Sequence, residues 1–263
     1  MKAFLLAAGK GTRLRPLTDT TPKCLLPICG KPLLGIWLKL LERHGISDVL
    51  INTHHHAEQV ESFLRCRQDH HRLNIRIFHE EVLLGSAGTL WRNRDFVRGE
   101  QAFLIAYADN LTNADVTDLF RVHRRTLQHG GILTMALFHA PHPTACGIAS
   151  IDPEGRITAF EEKPRNPRSD LANAGIYVAS DAVFEVFPQT IASRDSGIFD
   201  IGHDVLPLLV NRMFGTVLNA YLRDIGTPES YRAALEEWRC EGENAECRSQ
   251  NAECRRKADD VCF

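Results

Sequence analysis

The stretch that decides the architecture is Lys2-Ala3-Phe4-Leu5-Leu6-Ala7-Ala8-Gly9-Lys10-Gly11-Thr12-Arg13-Leu14-Arg15-Pro16-Leu17-Thr18. From Lys2 to Ala8 it is a short apolar run ending in glycine, the pattern of a strand buried on both faces at the centre of a parallel sheet. A glycine-rich turn there lets backbone N–H groups come close to phosphate oxygens, and open α/β sheets bind ligands at the carboxyl ends of their strands. Arg13, Arg15 and Lys23 add positive charge just beyond the turn. An arginine can clamp a phosphate through two parallel hydrogen bonds, whereas a lysine acts as a point charge. Neither standard phosphate loop is present, since GxxxxGK[ST] and the third glycine of the dinucleotide fingerprint are both missing. On these residues alone, a surface loop carrying solvated cations stands beside the phosphate-binding reading.

Working outward, strand and helix patterns alternate. The apolar spacing of Leu33, Ile36, Trp37, Leu40 and Leu41 predicts a helix from Pro32 that stops at Gly45. Strands are expected at Asp48 to Asn52, Asn74 to Phe78, Ala102 to Tyr107 and Gly131 to Phe138, with helices at Ala57 to Arg65 and Asp115 to Leu127. After Pro143, the runs Gly147 to Ile151 and Arg156 to Phe160 flank Asp152-Pro153-Glu154-Gly155 and read as a β-hairpin. Further β segments are expected at Ala172 to Val178 and Gly215 to Leu222, on either side of a helical stretch at His203 to Asn211. A last helix runs from Pro228 to Trp238 with Thr227 as its cap. The fold class is therefore α/β: a three-layer α/β/α sandwich, Rossmann-like, with a mixed, mostly parallel sheet and a β-rich lid over its carboxyl edge.

The chain has 263 residues, with 31 Lys and Arg against 33 Asp and Glu, a formal charge of −2. That balance excludes the broad basic footprint of a nucleic-acid-binding protein. No stretch approaches the ~20 apolar residues of a membrane span, and the apolar start is too short for a signal-peptide core, so a cytoplasmic protein without membrane contact is expected. Eight cysteines divide into Cys24, Cys29, Cys66 and Cys146 in the body, expected to be reduced, and Cys240, Cys247, Cys254 and Cys262 near the end. The second group falls in imperfect seven-residue repeats with few large apolar side chains, which gives two units: residues 1–238, and a heptad-like tail over 239–263 expected to be flexible. His54-His55-His56 and His70-His71 lack a zinc-type pattern and read as solvated or helix-leading residues.

The string GKGTRLRPLT followed by Thr21-Pro22-Lys23 resembles the signature of the sugar-1-phosphate nucleotidylyltransferases, which join a nucleoside triphosphate to a sugar 1-phosphate and release pyrophosphate. Five more matches follow in the family's order: Leu84-Gly85-Ser86-Ala87-Gly88, Ala108-Asp109-Asn110, Glu161-Glu162-Lys163-Pro164, Asn173-Ala174-Gly175-Ile176-Tyr177 and Asp224-Ile225-Gly226-Thr227-Pro228-Glu229. The likeness runs from Met1 to Trp238. Within the family it is nearest to the mannose-1-phosphate guanylyltransferases, with glucose-1-phosphate thymidylyltransferases second and a catalytically silent nucleotide-sugar-binding subunit as the non-enzymatic alternative.

The resemblance implies that Leu6, Ala8, Gly9, Gly11, Thr12, Arg13 and Lys23 cradle the nucleotide, with Gly85, Ala87 and Gly88 in a loop against the base. It implies Mg²⁺ on Asp109 and Asp224, the phosphate of the sugar substrate on Lys163, sugar hydroxyls on Glu162, and a sugar pocket lined by Gly147, Asn173 and Gly175. Arg13, Lys23, Asp109, Lys163 and Asp224 would then be the catalytic set. Glu80 stands where thymidylyltransferases of the family carry a base-reading glutamine. A carboxylate only accepts hydrogen bonds, which suits the adjacent N1–H and amino donors of guanine, so GTP is the expected nucleotide, read by Glu80 or Glu81. A homo-oligomer is compatible with all of this.

Overall fold

The computed structural model describes residues 1–66, 72–188, 191 and 197–239. Lys2–Leu6 (β1) lies inside the sheet, paired in parallel with Asp48–Thr53 (β4) on one side and Phe103–Tyr107 (β6) on the other. Asn74–His79 (β5) adds in parallel beyond β4, so this half of the sheet, β5-β4-β1-β6, is parallel throughout. Leu171–Ala179 (β11) then joins β6 antiparallel. Leu133–His139 (β8) and Met213–Val217 (β12) extend the sheet from β11, and the hairpin of Gly147–Ile151 (β9) and Ile157–Glu162 (β10) attaches at its start. The large central sheet is mixed α/β in character, as expected.

Alternation along β1 shows why there are three layers. Ala3 and Leu5 point into a core that also holds Leu33, Leu34, Trp37 and Leu41 from Leu33–Arg43 (α2). Phe4 and Leu6 point the other way, into a core with Leu90 from Gly85–Arg92 (α4) and with Val205 and Leu209. Ala57–Cys66 (α3), Val116–Gln128 (α5) and Pro228–Glu237 (α6) complete the larger helices, and a single turn, Leu17–Thr20 (α1), follows the glycine loop. Side chains cap two of these: Asp115 accepts from the Asp118 N–H and Thr227 from the Ser230 N–H.

Several expectations need correction. Gly215 to Leu222 is not one strand. β12 ends at Val217, and Leu222–Asp224 (β13) is a separate strand that leaves the main sheet to pair with Asn110–Thr112 (β7). A minor ribbon is formed by Pro27–Ile28 (β2) and Lys31–Pro32 (β3). The helical stretch at His203 is two short turns, Ile201–Val205 and Leu206–Leu209, because Pro207 has no N–H to continue a helix. β10 runs on to include Glu161 and Glu162. Cys29 is disulfide-bonded rather than reduced, while Cys24, Cys66 and Cys146 are free. No helix among the described residues is long and apolar enough to cross a membrane. His70, His71 and residues 240–263 of the tail, with their four cysteines, lie outside the described residues.

His123 of α5 is fully buried against β8, its Nδ1 3.0 Å from Thr134 Oγ1 and its Nε2 3.3 Å from the Gln101 carbonyl. Burial pushes its pKa down to about 4 from an ordinary 6.5. The unfolded chain therefore binds the proton more readily, so this contribution to stability is complete above pH ~6.5 and is lost as pH falls toward ~4. Roughly 2 kcal/mol should go between pH 7 and 5. Thermal melts at the two pH values should show a smaller drop for His123→Gln than for the wild type.

Candidate active site

The parallel strands place their carboxyl ends on one edge, and two of them, β1 and β6, deliver the site together with the separate β7–β13 ribbon. β1 ends in the glycine loop, where Gly11 adopts φ 63 and a Cβ would meet Thr18 Cγ2 at 2.9 Å. A side chain at Gly11 is thus opposed by both conformation and space. The Gly11 carbonyl accepts from the Leu14 N–H at 2.9 Å and the Thr18 hydroxyl at 2.8 Å, folding the basic segment back over the strand end. Gly9, Thr12 and Arg13 stay exposed at its rim. β6 ends two residues before Asp109. Asp224, far away in sequence, arrives because β13 pairs with β7, with Asp224 opposite Asn110 and the Ile225 N–H donating to the Asp109 carbonyl at 3.2 Å.

These two carboxylates converge on one ammonium. Lys23 Nζ donates to Asp109 Oδ2 at 2.7 Å and to Asp224 Oδ1 at 2.9 Å, and Lys23 is only 8% exposed. Burial alone would lower the pKa of this ammonium, but the two carboxylates outweigh it and hold it above the ordinary value. Arg13 Nη2 is 4.0 Å from Asp224 Oδ2, and Gly226 leaves room for that approach, since a Cβ there would be 2.9 Å from both groups. Among the described residues no cluster of three or more His, Cys, Asp or Glu could hold a metal ion. A pair of converging carboxylates nonetheless suits Mg²⁺, which takes one or two carboxylates and draws its other ligands from phosphates and water.

On the other side lie the residues of the expected sugar pocket. Because β11 runs against β6, its beginning sits at β6's carboxyl end, bringing Asn173 and Gly175 toward Tyr107 and Asn110. Gly175 has φ 67, and a Cβ there would be 2.8 Å from Asn110 Nδ2. Asn173 holds the turn, accepting from the Gly175 N–H at 2.9 Å and donating to Tyr177 Oη at 2.6 Å. Gly147 pairs with Glu162 at the open end of the hairpin, and a Cβ on Gly147 would lie 2.5 Å from Glu162 Oε2. Burial raises the pKa of the Glu162 carboxyl, partly offset by Lys163, while Asp200 adds to the rise. Lys163 is exposed, in the left-handed region at φ 50, with Nζ 3.8 Å from Glu162 Oε1.

Glu80 is not presented to a base. It is 2% exposed, and its carboxylate accepts from Asn52 Nδ2 at 2.8 Å, Thr89 Oγ1 at 2.5 Å and the Leu84 N–H at 2.9 Å. Asn52 in turn accepts from the Ala7 N–H at 2.7 Å. Glu80 therefore braces the glycine loop against α4 from beneath, because a buried carboxylate is stable only when donors surround it. Gly85, Ala87 and Gly88 belong to the first turns of α4 rather than to a loop, and the Ala87 N–H donates to the Phe199 carbonyl at 2.9 Å.

His54, His55 and His56 lead into α3, as expected, and they also make contacts that the sequence did not reveal. His55 Nε2 is 3.2 Å from the Thr18 carbonyl, His56 Nε2 is 3.0 Å from that of Asp19, and Gln59 Nε2 donates to that of Thr20 at 2.8 Å. Three consecutive carbonyls of α1, which a one-turn helix cannot satisfy internally, are met from the start of α3. His54 Nδ1 similarly lies 2.8 Å from the Glu80 carbonyl. Polar side chains just before a predicted helix, next to a short helical turn that needs partners, were the available signal.

The profile of the nucleotidyl transferase family matches residues 2–239. Similar proteins include a UTP–glucose-1-phosphate uridylyltransferase from Synechocystis, 34% identical across 80% of this chain and 55% of its own length. A glucose-1-phosphate thymidylyltransferase from Streptomyces griseus is 32% identical over 92% of this chain and 69% of its own. A mannose-1-phosphate guanylyltransferase from Mycobacterium tuberculosis is 33% identical over 87% and 62% respectively. The chain thus spans little more than half of the first of these relatives. A Bacillus anthracis chain crystallised with a sucrose superposes with a TM-score of 0.77 at 25% identity, covering 94% of this chain and 99% of that one. The glycine loop, the paired aspartates and these matches agree: the chain belongs to the nucleotidyl transferase family.

Proposed function

We propose that the protein transfers a nucleotidyl group from a nucleoside triphosphate to a sugar 1-phosphate, releasing pyrophosphate, with GTP and mannose 1-phosphate as its substrates. The observation that carries the transfer is the convergence of Lys23, Asp109 and Asp224 at the foot of the glycine loop. Guanine rests on Glu81 alone once Glu80 is committed internally, since Glu81 is an exposed, acceptor-only carboxylate just ahead of α4. The nucleophile is a phosphate oxygen that is already anionic near neutral pH, so no general base is required, and catalysis is positioning with charge neutralisation. Lys163 orients the incoming phosphate, and Glu162 accepts from sugar hydroxyls. Lys23 neutralises charge at the α-phosphate, and Arg13 holds the departing pyrophosphate. Mg²⁺ held by Asp109 and Asp224, when bound, supplies the remaining positive charge at the phosphates.

A pyrophosphate-release assay over a matrix of nucleoside triphosphates and sugar 1-phosphates, with Mg²⁺, tests both levels. GTP with mannose 1-phosphate should give the highest kcat/KM. Equal turnover of dTTP and GTP would overturn the base assignment, and no release from any pair would overturn the transfer itself.

A further inference from the structure

Lys23 uses the same two oxygen atoms that the proposed metal site needs. Its ammonium lies within hydrogen-bond distance of Asp109 Oδ2 and Asp224 Oδ1, at 2.7 and 2.9 Å. Mg²⁺ takes such oxygens at about 2.0–2.1 Å, and two cations drawing on one pair of oxygens repel each other. Nor is Lys23 a mobile surface residue that could simply drift away. It is 8% exposed, and it starts the short turn Lys23–Leu25, with the Pro22 carbonyl accepting from the Leu25 N–H at 2.8 Å. Leaving the carboxylates without another partner would strand a nearly buried ammonium, which is costly. A Cβ on Gly11 would be 3.4 Å from Lys23 Cβ, so Lys23 lies directly beside the glycine loop, where the proposed function puts the nucleotide's phosphates as the alternative partner.

We infer that Lys23 is a resident counter-ion that keeps divalent metal off the Asp109–Asp224 pair until a nucleotide's phosphates draw the ammonium away, so that metal and nucleotide bind interdependently. The inference rests on the metal role proposed above for the two aspartates. It follows that free metal binds the nucleotide-free protein weakly, and that a metal–nucleotide complex loads as one unit. Discharging the two carboxylates then passes from the lysine to the metal, and Lys23 is released for the phosphate in the same event.

Electron paramagnetic resonance of Mn²⁺ with nucleotide-free protein tests this without any turnover. Lys23→Gln should bind one Mn²⁺ at least tenfold more tightly than wild type, Lys23→Arg should stay as weak as wild type, and Lys23→Gln combined with Asp109→Asn should lose the gain. If wild type and Lys23→Gln bind equally tightly and Asp109→Asn abolishes that binding, the counter-ion role is overturned while the metal pair stands. If no variant binds more tightly than the double variant, both are overturned. Should Lys23→Gln fail to fold, the wild type alone gives a second reading. Millimolar Mg²⁺ should leave its melting temperature unchanged without nucleotide and raise it with a non-hydrolysable nucleoside triphosphate. A clear rise from Mg²⁺ alone would overturn the inference.

Discussion

Asp109→Asn should reduce kcat/KM by at least a thousandfold, about 4 kcal/mol of lost transition-state stabilisation, while the protein still folds. The replacement keeps the shape and removes one negative charge from the pair that brackets Lys23. Both proposed uses of that charge, as counter-ion to the ammonium and as metal ligand, are then weakened together. Folding should survive because Lys23 keeps Asp224 as an ionic partner, an asparagine oxygen still accepts from the ammonium, and the Asp109 backbone carbonyl still accepts from the Ile225 N–H. Circular dichroism and a pyrophosphate-release assay on the same preparation separate the two outcomes. Activity within tenfold of wild type would remove Asp109 from the catalytic set.

Gly85→Ala should be the most damaging small substitution for stability, by about 3 kcal/mol. Gly85 has φ 76, where an L side chain is strained, and its added Cβ would sit 2.3 Å from the Phe199 carbonyl oxygen and 2.8 Å from the Phe199 nitrogen. Backbone on the far side cannot rotate away as a flexible side chain can. Displacing Phe199 would also take away the carbonyl that accepts from the Ala87 N–H at the start of α4. Gly9→Ala is the matched control, since nothing lies within 4 Å of a Cβ there and its φ is not in the strained range. Urea denaturation should show a large loss for the first and a change within ~0.5 kcal/mol for the second. Comparable losses would mean that the close approach of Phe199 is not what makes Gly85 necessary.

The residues that sequence could place are those whose neighbours are near in the chain or set by periodicity. β1, β4, α2, α5 and the Thr227 cap were legible because apolar spacing and turn chemistry are local signals. Asp109 was legible for the same reason, following an apolar run at a strand's end. The β7–β13 ribbon was not, because it is three residues per strand and its pairing joins segments far apart in sequence. Glu80 shows a different failure. Its position in an ordered set of motifs suggested a ligand contact, but whether a carboxylate faces a cleft or an internal set of donors depends on Asn52 and Thr89, which no local pattern connects to it. The histidine contacts to α1 were invisible for the same reason, since they depend on where a neighbouring turn ends.

The ribbon that carries Asp224 has a consequence for the order in which the protein comes into being. During synthesis the glycine loop, Lys23 and Asp109 all emerge in the first half of the chain, while Asp224 follows 201 residues after Lys23. A growing chain can build β1, β4 and β6 around one another long before β13 exists to pair with β7. Through that interval the ammonium has only one of its two carboxylates. The glycine loop can therefore form before the charge arrangement around Lys23 is finished, because that arrangement waits on the pairing of β13 with β7.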